Sequence, residues 1–162
     1  MNLASPPDPI VTASTATSPP LPLELSYVLL AEPSLPYRSV LREALMSFRH
    51  CHVDDTPSAE RAFEMALQRP YHLFIFSLPL DDMSGGLLNR LLAKAYPLAH
   101  PGCHTAPPVI FICRPTDTLA FQQLQRDARV RGSLTYPPKL DALLAMTAGI
   151  LPERASPLPH VS

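Results

Sequence analysis

The chain has 162 residues, of which 46% are hydrophobic, so it is long enough and apolar enough to bury the core of one domain. Its 13 basic and 14 acidic residues give a net charge of −1, which offers no electrostatic reason to expect a nucleic-acid partner. Three cysteines are too few for a disulfide framework, which indicates a reducing compartment. We therefore expect one cytoplasmic domain.

The two ends of the chain differ in composition from its middle. Residues 1–24 are rich in Pro, Ser, Thr and Ala, and no basic residue precedes Arg38, so neither a secretory signal nor a membrane span is predicted. Residues 152–162 have a similar composition. Segments of this kind bury too little apolar surface to offset their ordering entropy, so we predict disordered tails around a domain at 25–151. A second interpretation of the N-terminal arm is binding to an SH3-like groove in extended form.

Short apolar runs alternate with helical patterns along the middle of the chain. The first predicted strand is 27–31 (YVLLA), followed by a helix that Ser34 could cap, with Leu41 and Leu45 among its apolar positions. A short strand at 52–53 precedes a helix over 58–68. A third strand at 73–76 (LFIF) is followed by a turn at Gly85 and Gly86, and then by a helix over 87–95.

The second half of the chain repeats this alternation. A loop over 97–108 leads to a strand at 109–113 (VIFIC) and a helix over 118–128, and a strand at 130–135 is followed by a helix over 140–151. The apolar runs of the first, third and fourth strands are continuous, as expected when helices cover both faces of a parallel sheet. The pattern predicts an α/β fold with a doubly wound parallel sheet of five strands.

Function in such a sheet gathers at the carboxyl ends of the strands. Those ends hold Glu32, Ser77, Cys113 and Tyr136. No glycine-rich loop follows the first strand, so a nucleotide site is not predicted. Ser77 has the side chain of a nucleophile, but no histidine follows these strands and the GxSxG elbow is missing.

Four segments in this order resemble the receiver domain of bacterial two-component response regulators, which has the CheY-like, flavodoxin-like fold. They are VLLAEPSLPYRSVLREAL (28–45), LFIFSLPLDDMSGGLLNRLL (73–92), VIFIC (109–113) and GSLTYPPKLDALL (132–144). The resemblance implies a three-layer (βα)5 sandwich with strand order 2-1-3-4-5. It also implies a site of two adjacent acids, a phosphoacceptor aspartate, a hydroxyl residue and a lysine followed by a cis-proline.

The residues at the matching positions differ from that pattern. Glu32 keeps one acid of the pair and Pro33 replaces the other, while Ser77 stands at the phosphoacceptor position. Cys113 occupies the hydroxyl position and Tyr136 the lysine position. Pro137 matches the cis-proline, and Ser133 stands where the switch aromatic is expected.

These replacements predict a degenerate, or pseudo-, receiver. Magnesium prefers several hard oxygen ligands, and one carboxylate of three remains, so we expect its binding to be lost or weak and predict no other cofactor. Ser77 cannot form an acyl phosphate, and no lysine remains to neutralise phosphoryl charge. Asp81 and Asp82, which follow the third strand by four and five residues, are interpreted as a solvated turn.

Two other groups of residues are candidate sites. His50, Cys51 and His52, with His100, Cys103 and His104, include zinc-type ligands, but the predicted strand order places the two groups about 14 Å apart. We therefore favour solvated histidines. By resemblance, the face formed by the fourth helix, fifth strand and fifth helix is the candidate protein interface, with these residues: Gln122, Gln125, Arg126, Arg131 and Lys139.

The sequence thus predicts a non-enzymatic, stand-alone bacterial adaptor that acts by protein–protein contact or self-dimerisation, without nucleic acid or membrane. The chain ends eleven residues after Leu151, so no output domain is expected. Two alternatives stay open. One is a phosphorelay receiver that switches through non-standard residues, and the other is a small flavodoxin-like ligand-binding domain.

Overall fold

The computed structural model describes Ala4 and residues 24–155. The predicted arm at 1–24 lies outside the described residues, apart from Ala4 and Glu24. Residues 156–162 of the predicted C-terminal tail also lie outside them. Within the described part, no helix combines the length and the apolar character needed to cross a membrane.

Five strands and five helices alternate along the described chain. The strands are β1 (Ser26–Ala31), β2 (Cys51–Thr56), β3 (Leu73–Ser77), β4 (Val109–Cys113) and β5 (Val130–Thr135). The helices are α1 (Leu35–Phe48), α2 (Ala59–Gln68), α3 (Gly85–Ala99), α4 (Thr118–Leu124) and α5 (Leu140–Thr147), with a 3-10 turn at Pro115–Asp117 before α4.

The strands form one parallel sheet in the order β2-β1-β3-β4-β5. This confirms the predicted doubly wound topology. Every residue of β3 and β4 is buried, as their continuous apolar sequences indicate. The crossing from β1 to β3 leaves the carboxyl ends of β1, β3 and β4 side by side at one edge of the sheet.

Two apolar cores flank the sheet and give the fold its three layers. On one face, α2 and α3 cover side chains such as Phe74, Phe76 and Phe111. On the other face, α1 and α5 cover residues such as Val28, Ile75 and Ile110. Because successive residues of a strand point to opposite faces, each buried strand contributes to both cores.

Three helices, α3, α4 and α5, have bounds that differ from the sequence prediction. Helix α3 starts at Gly85 because the Ser84 hydroxyl accepts from the Leu87 N–H at 3.1 Å, and it continues past Pro97 into the predicted loop. Helix α4 ends at Leu124, where a turn closes through Asp127, whose carboxylate accepts from the Arg129 N–H at 2.9 Å. Helix α5 ends at Thr147, four residues earlier than predicted.

The ordered body extends beyond the predicted boundary at Leu151. The His50 N–H donates to the Pro152 carbonyl at 2.8 Å, and Arg49 forms an antiparallel bridge with Glu153. The Arg49 guanidinium is itself buried and donates to the Leu144 carbonyl at 2.6 Å. The amino-acid composition did not predict the contacts of this segment, because they use backbone groups and do not depend on apolar side chains.

Gly85 provides a close approach between α3 and the end of β3. A Cβ at this position would lie 2.2 Å from the Ser77 carbonyl oxygen, and that atom belongs to the backbone. We predict that Gly85→Ala lowers the free energy of unfolding by about 2 kcal/mol, because backbone must shift to relieve the overlap. Urea unfolding measures the change.

Gly102→Ala is the matched control for this substitution, because a Cβ there meets no atom within 4 Å. Its free energy of unfolding should stay within about 0.5 kcal/mol of the parent value. Equal effects of the two substitutions would contradict the close approach.

Candidate functional site

The carboxyl edge of the sheet brings three predicted side chains together: Glu32 after β1, Ser77 at the end of β3, and Tyr136 after β5. Glu32 and Ser77 are fully buried. The Ser77 and Tyr136 hydroxyls both hydrogen-bond to Oε2 of Glu32, and these hydroxyls lie 2.8 Å from each other. The three residues are here called the hydroxyl–carboxylate cluster.

The second oxygen of the Glu32 carboxylate is also engaged. Its Oε1 accepts from the Ser34 N–H at 3.0 Å. The buried acid is therefore satisfied by one backbone donor and two neutral hydroxyls. A buried carboxylate without such partners would be strongly unfavourable, so this arrangement allows Glu32 to remain in the core.

The tyrosine is held as a hydrogen-bond donor. Burial raises the pKa of the Tyr136 phenol, and its hydrogen bond to Glu32 raises the pKa further. The phenol therefore stays protonated over the ordinary pH range. The Tyr37 ring lies against the Tyr136 ring, with 5.6 Å between centroids, which covers the cluster on the α1 side.

Arg38 also holds this edge, and the sequence reasoning missed it. Its Nη1 donates to the Glu32 carbonyl oxygen at 2.9 Å, and its Nε pairs with the Asp55 carboxylate at 2.8 Å. The parallel register that sets Leu30 opposite Asp55 brings Asp55 close to the end of β1. Asp55 lies beyond the strand predicted at 52–53, whereas β2 extends to Thr56, so the sequence offered no signal for this pair.

The other predicted positions do not join the cluster through their side chains. Pro33 follows Glu32 and offers no ligand atom. The Cys113 carbonyl accepts from the Tyr136 N–H at 2.9 Å, and burial, with the charge of Asp117, raises the pKa of its thiol to about 11. Ser133 lies opposite Phe111 in the sheet register, and the Tyr136–Pro137 peptide bond is cis.

Asp82 is exposed, like Asp81, but its carboxylate also makes specific contacts with α2. Its carboxylate accepts from the Ala59 N–H at 2.9 Å, the Glu60 N–H at 2.8 Å and the Ser58 hydroxyl at 3.0 Å. These contacts satisfy the first N–H groups of α2, so Asp82 caps that helix from the β3–α3 loop. Asp81 is exposed, as predicted. No local pattern could reveal a cap supplied from 22 residues away.

The five candidate interface residues are all exposed: Gln122, Gln125, Arg126, Arg131 and Lys139. The zinc-type residues make other contacts, since the Cys51 thiol faces the Leu45 carbonyl and His52 bonds to Asp54 at 3.0 Å. Among residues 24–155, no three His, Cys, Asp or Glu side chains are grouped to hold a metal ion.

The fold is similar to several solved bacterial structures. A response regulator receiver protein from Pseudomonas putida matches with a TM-score of 0.64 and 22% identity, over 78% of this chain and 98% of its own. The chemotaxis response regulator CheY4 of Vibrio cholerae matches with a TM-score of 0.63 and 16% identity, over 79% and 100%. An adenylate cyclase from Rhodopirellula baltica matches with a TM-score of 0.64 and 16% identity, over 78% and 88%.

These structures establish the receiver fold for this chain. No family model and no curated protein matches its sequence. At identities of 22% or below, the likeness concerns the fold alone, so the activities of those proteins are not carried over to this one.

We predict that Tyr136→Phe lowers the free energy of unfolding by about 1–3 kcal/mol, because buried Glu32 loses one of its donors. Chemical unfolding near neutral pH measures the loss. Tyr37→Phe is the matched control, since among residues 24–155 no group hydrogen-bonds to its hydroxyl, and it should be nearly neutral. A neutral Tyr136→Phe would show that the cluster contributes no stability.

The Asp82 cap predicts a pH-dependent contribution to stability. Desolvation alone would raise the pKa of Asp82, but the donors of Glu60, Ala59 and Ser58 hold it below the ordinary value. Its stabilising effect is therefore fully present above the unfolded pKa of about 3.9 and is lost as the pH falls through the lower folded value.

Accordingly, Asp82→Ala should cost about 1 kcal/mol near neutral pH, and its difference from the parent protein should narrow as the pH falls toward about 2. Urea unfolding across that pH range tests this, with the adjacent Asp81→Ala as the control. A pH-independent cost for Asp82→Ala, or an equal cost for Asp81→Ala, is the outcome that rejects the cap.

Proposed function

We propose that this protein is a degenerate receiver that acts in bacterial signal transduction as a phosphorylation-independent adaptor in the cytoplasm. The observation that carries the proposal is the hydroxyl–carboxylate cluster. At the edge where a receiver binds metal and accepts phosphate, the buried Glu32 carboxylate is satisfied internally by Ser77 and Tyr136.

The chemistry of the three positions supports this proposal. Phosphoryl transfer to an aspartate forms an acyl phosphate, which requires a carboxylate at the position that Ser77 occupies. The developing charge on a transferred phosphoryl group needs a metal ion or a cation. Tyr136 is neutral because burial and Glu32 raise its pKa, so it supplies a hydrogen bond without a positive charge.

The same contacts support the proposal that magnesium binding is lost or weak. Magnesium requires near-octahedral oxygen ligands and gives up its water reluctantly. Both oxygens of Glu32 already accept hydrogen bonds, and Pro33 provides no second carboxylate. A magnesium ion would have to displace the Tyr136 hydroxyl from a buried carboxylate and would gain one charged ligand in return.

Without phosphotransfer, we propose that the domain acts by binding other proteins, and we propose no enzymatic activity. The face of α4, β5 and α5 is one candidate for self-association or partner binding, with polar and basic residues exposed on it. The competing proposal is a phosphorelay receiver that uses non-standard residues. It differs because it requires the protein to respond to a metal ion and to a phosphate mimic.

An amide NMR titration of the full chain with Mg²⁺, followed by beryllofluoride, distinguishes these proposals. We predict no saturable shifts around Ser77, Cys113 and Tyr136. The comparison variant carries Pro33→Asp, Ser77→Asp and Tyr136→Lys, which restore the charged groups that the resemblance implies, and it should gain Mg²⁺-dependent shifts. Saturable, Mg²⁺-dependent shifts in the parent protein would reject the adaptor proposal.

A further inference from the structure

A groove runs between α3 and α4 on the face of the sheet that α2 also covers. It consists of two adjoining clefts of about 620 and 420 Å³, both lined by Leu87 and Arg90. The β3–α3 loop, including Leu78 and Leu80, closes one side of the larger cleft. Neither cleft contains a residue of the hydroxyl–carboxylate cluster.

The floor of this groove is apolar. Leu87 and Leu91 lie one turn apart on α3 and are 39% and 40% exposed, and Ala120 and Leu124 line the groove from α4. Gly86 lets the two helices come close, because a Cβ there would lie 3.2 Å from Leu124 Cδ2. A row of exposed leucines one helical turn apart is the spacing that a second amphipathic helix can match.

The rim of the groove is positively charged. Arg90 and Lys94 are exposed, and no carboxylate of residues 24–155 lies within ion-pair distance of either. Arg114 adds a third cation, whose guanidinium lies 3.4 Å from the Asp117 carboxylate.

The acids beside the groove are already bound within the domain. Asp117 accepts from the Arg114 N–H at 2.7 Å, and Asp127 pairs with Arg129 at 2.9 Å. Burial alone raises the pKa of Asp127, yet Arg129 holds it below the ordinary value, so this acid is ionised and compensated. Within residues 24–155, the rim therefore has two cations without an ion-pair partner, Arg90 and Lys94, beside exposed leucines.

From this complementarity we infer that the α3–α4 groove binds an amphipathic helix of a partner protein, with leucine-like residues on one face and Asp or Glu beside them. This inference rests on the proposed adaptor function and gives it a docking surface. Apolar residues at helical spacing would enter the clefts, and the flanking carboxylates would meet Arg90 and Lys94. Two free cations are too few for a nucleic-acid surface.

The groove is separate from the α4–β5–α5 face. Ala120, Gln123 and Leu124 line the groove, whereas Gln122, Gln125 and Arg126 do not. The two sets of residues do not overlap, so substitutions can test the two surfaces independently.

The test is a selection of random 16-residue peptides displayed on phage against the full chain. We expect enrichment of acidic amphipathic peptides. A selected peptide should shift the amide signals of residues 78–94 and 114–124.

The paired substitution Arg90→Glu and Lys94→Glu should weaken the binding of that peptide by roughly tenfold or more. The matched pair Arg131→Glu and Lys139→Glu should change its affinity less than about twofold. Circular dichroism verifies that both variants are folded.

Each other outcome overturns the groove assignment. These outcomes are no enrichment, enrichment of basic or Pro-rich peptides, or a larger loss from the Arg131 and Lys139 pair. Self-association that the Arg90 and Lys94 pair abolishes would assign the groove to a second copy and reject a separate partner. Failure of the adaptor proposal is recognised separately, by an Mg²⁺-dependent response to beryllofluoride, which does not depend on the groove.

Discussion

A buried carboxylate that needs hydrogen-bond donors is the constraint on which this site depends. Glu32 is fully buried, and its Oε2 accepts from the hydroxyls of Ser77 and Tyr136 while its Oε1 accepts from Ser34 N–H. The three donors are neutral, so they satisfy the acid without adding a charge to the core. Both oxygens of the carboxylate therefore already have hydrogen-bond partners within the domain.

The parallel sheet makes this arrangement possible. Strand order 2-1-3-4-5 brings β1 and β3 together, so Glu32 and Ser77 become neighbours although 45 residues separate them. Tyr136 reaches the same point from β5. The β3–α3 loop then connects the cluster to the surface, because it follows Ser77, lines the α3–α4 groove and places Asp82 on the first turn of α2.

Much of the fold could be predicted from the sequence, because continuous apolar runs such as LFIF and VIFIC indicate buried parallel strands. Strand order came from the receiver resemblance, whereas the residues at the strand ends followed from the apolar runs themselves. The structure brings three of them together: Glu32, Ser77 and Tyr136. Their hydrogen bonds could not be predicted, since each joins residues far apart in the chain. The Asp82 cap and the pairing of Glu153 with Arg49 were missed for the same reason. The periodicity of apolar residues predicts local secondary structure, whereas these contacts depend on how distant segments pack in the fold.

The most direct test of the closed site is a high-resolution crystal structure of the protein grown with excess Mg²⁺ and beryllofluoride. We predict that the Tyr136 hydroxyl stays hydrogen-bonded to Glu32 and Ser77, with neither metal nor beryllofluoride at the edge of the sheet. A metal ion bound to Glu32, with Tyr136 displaced and beryllofluoride near Ser77, would contradict the account and show that the site still switches.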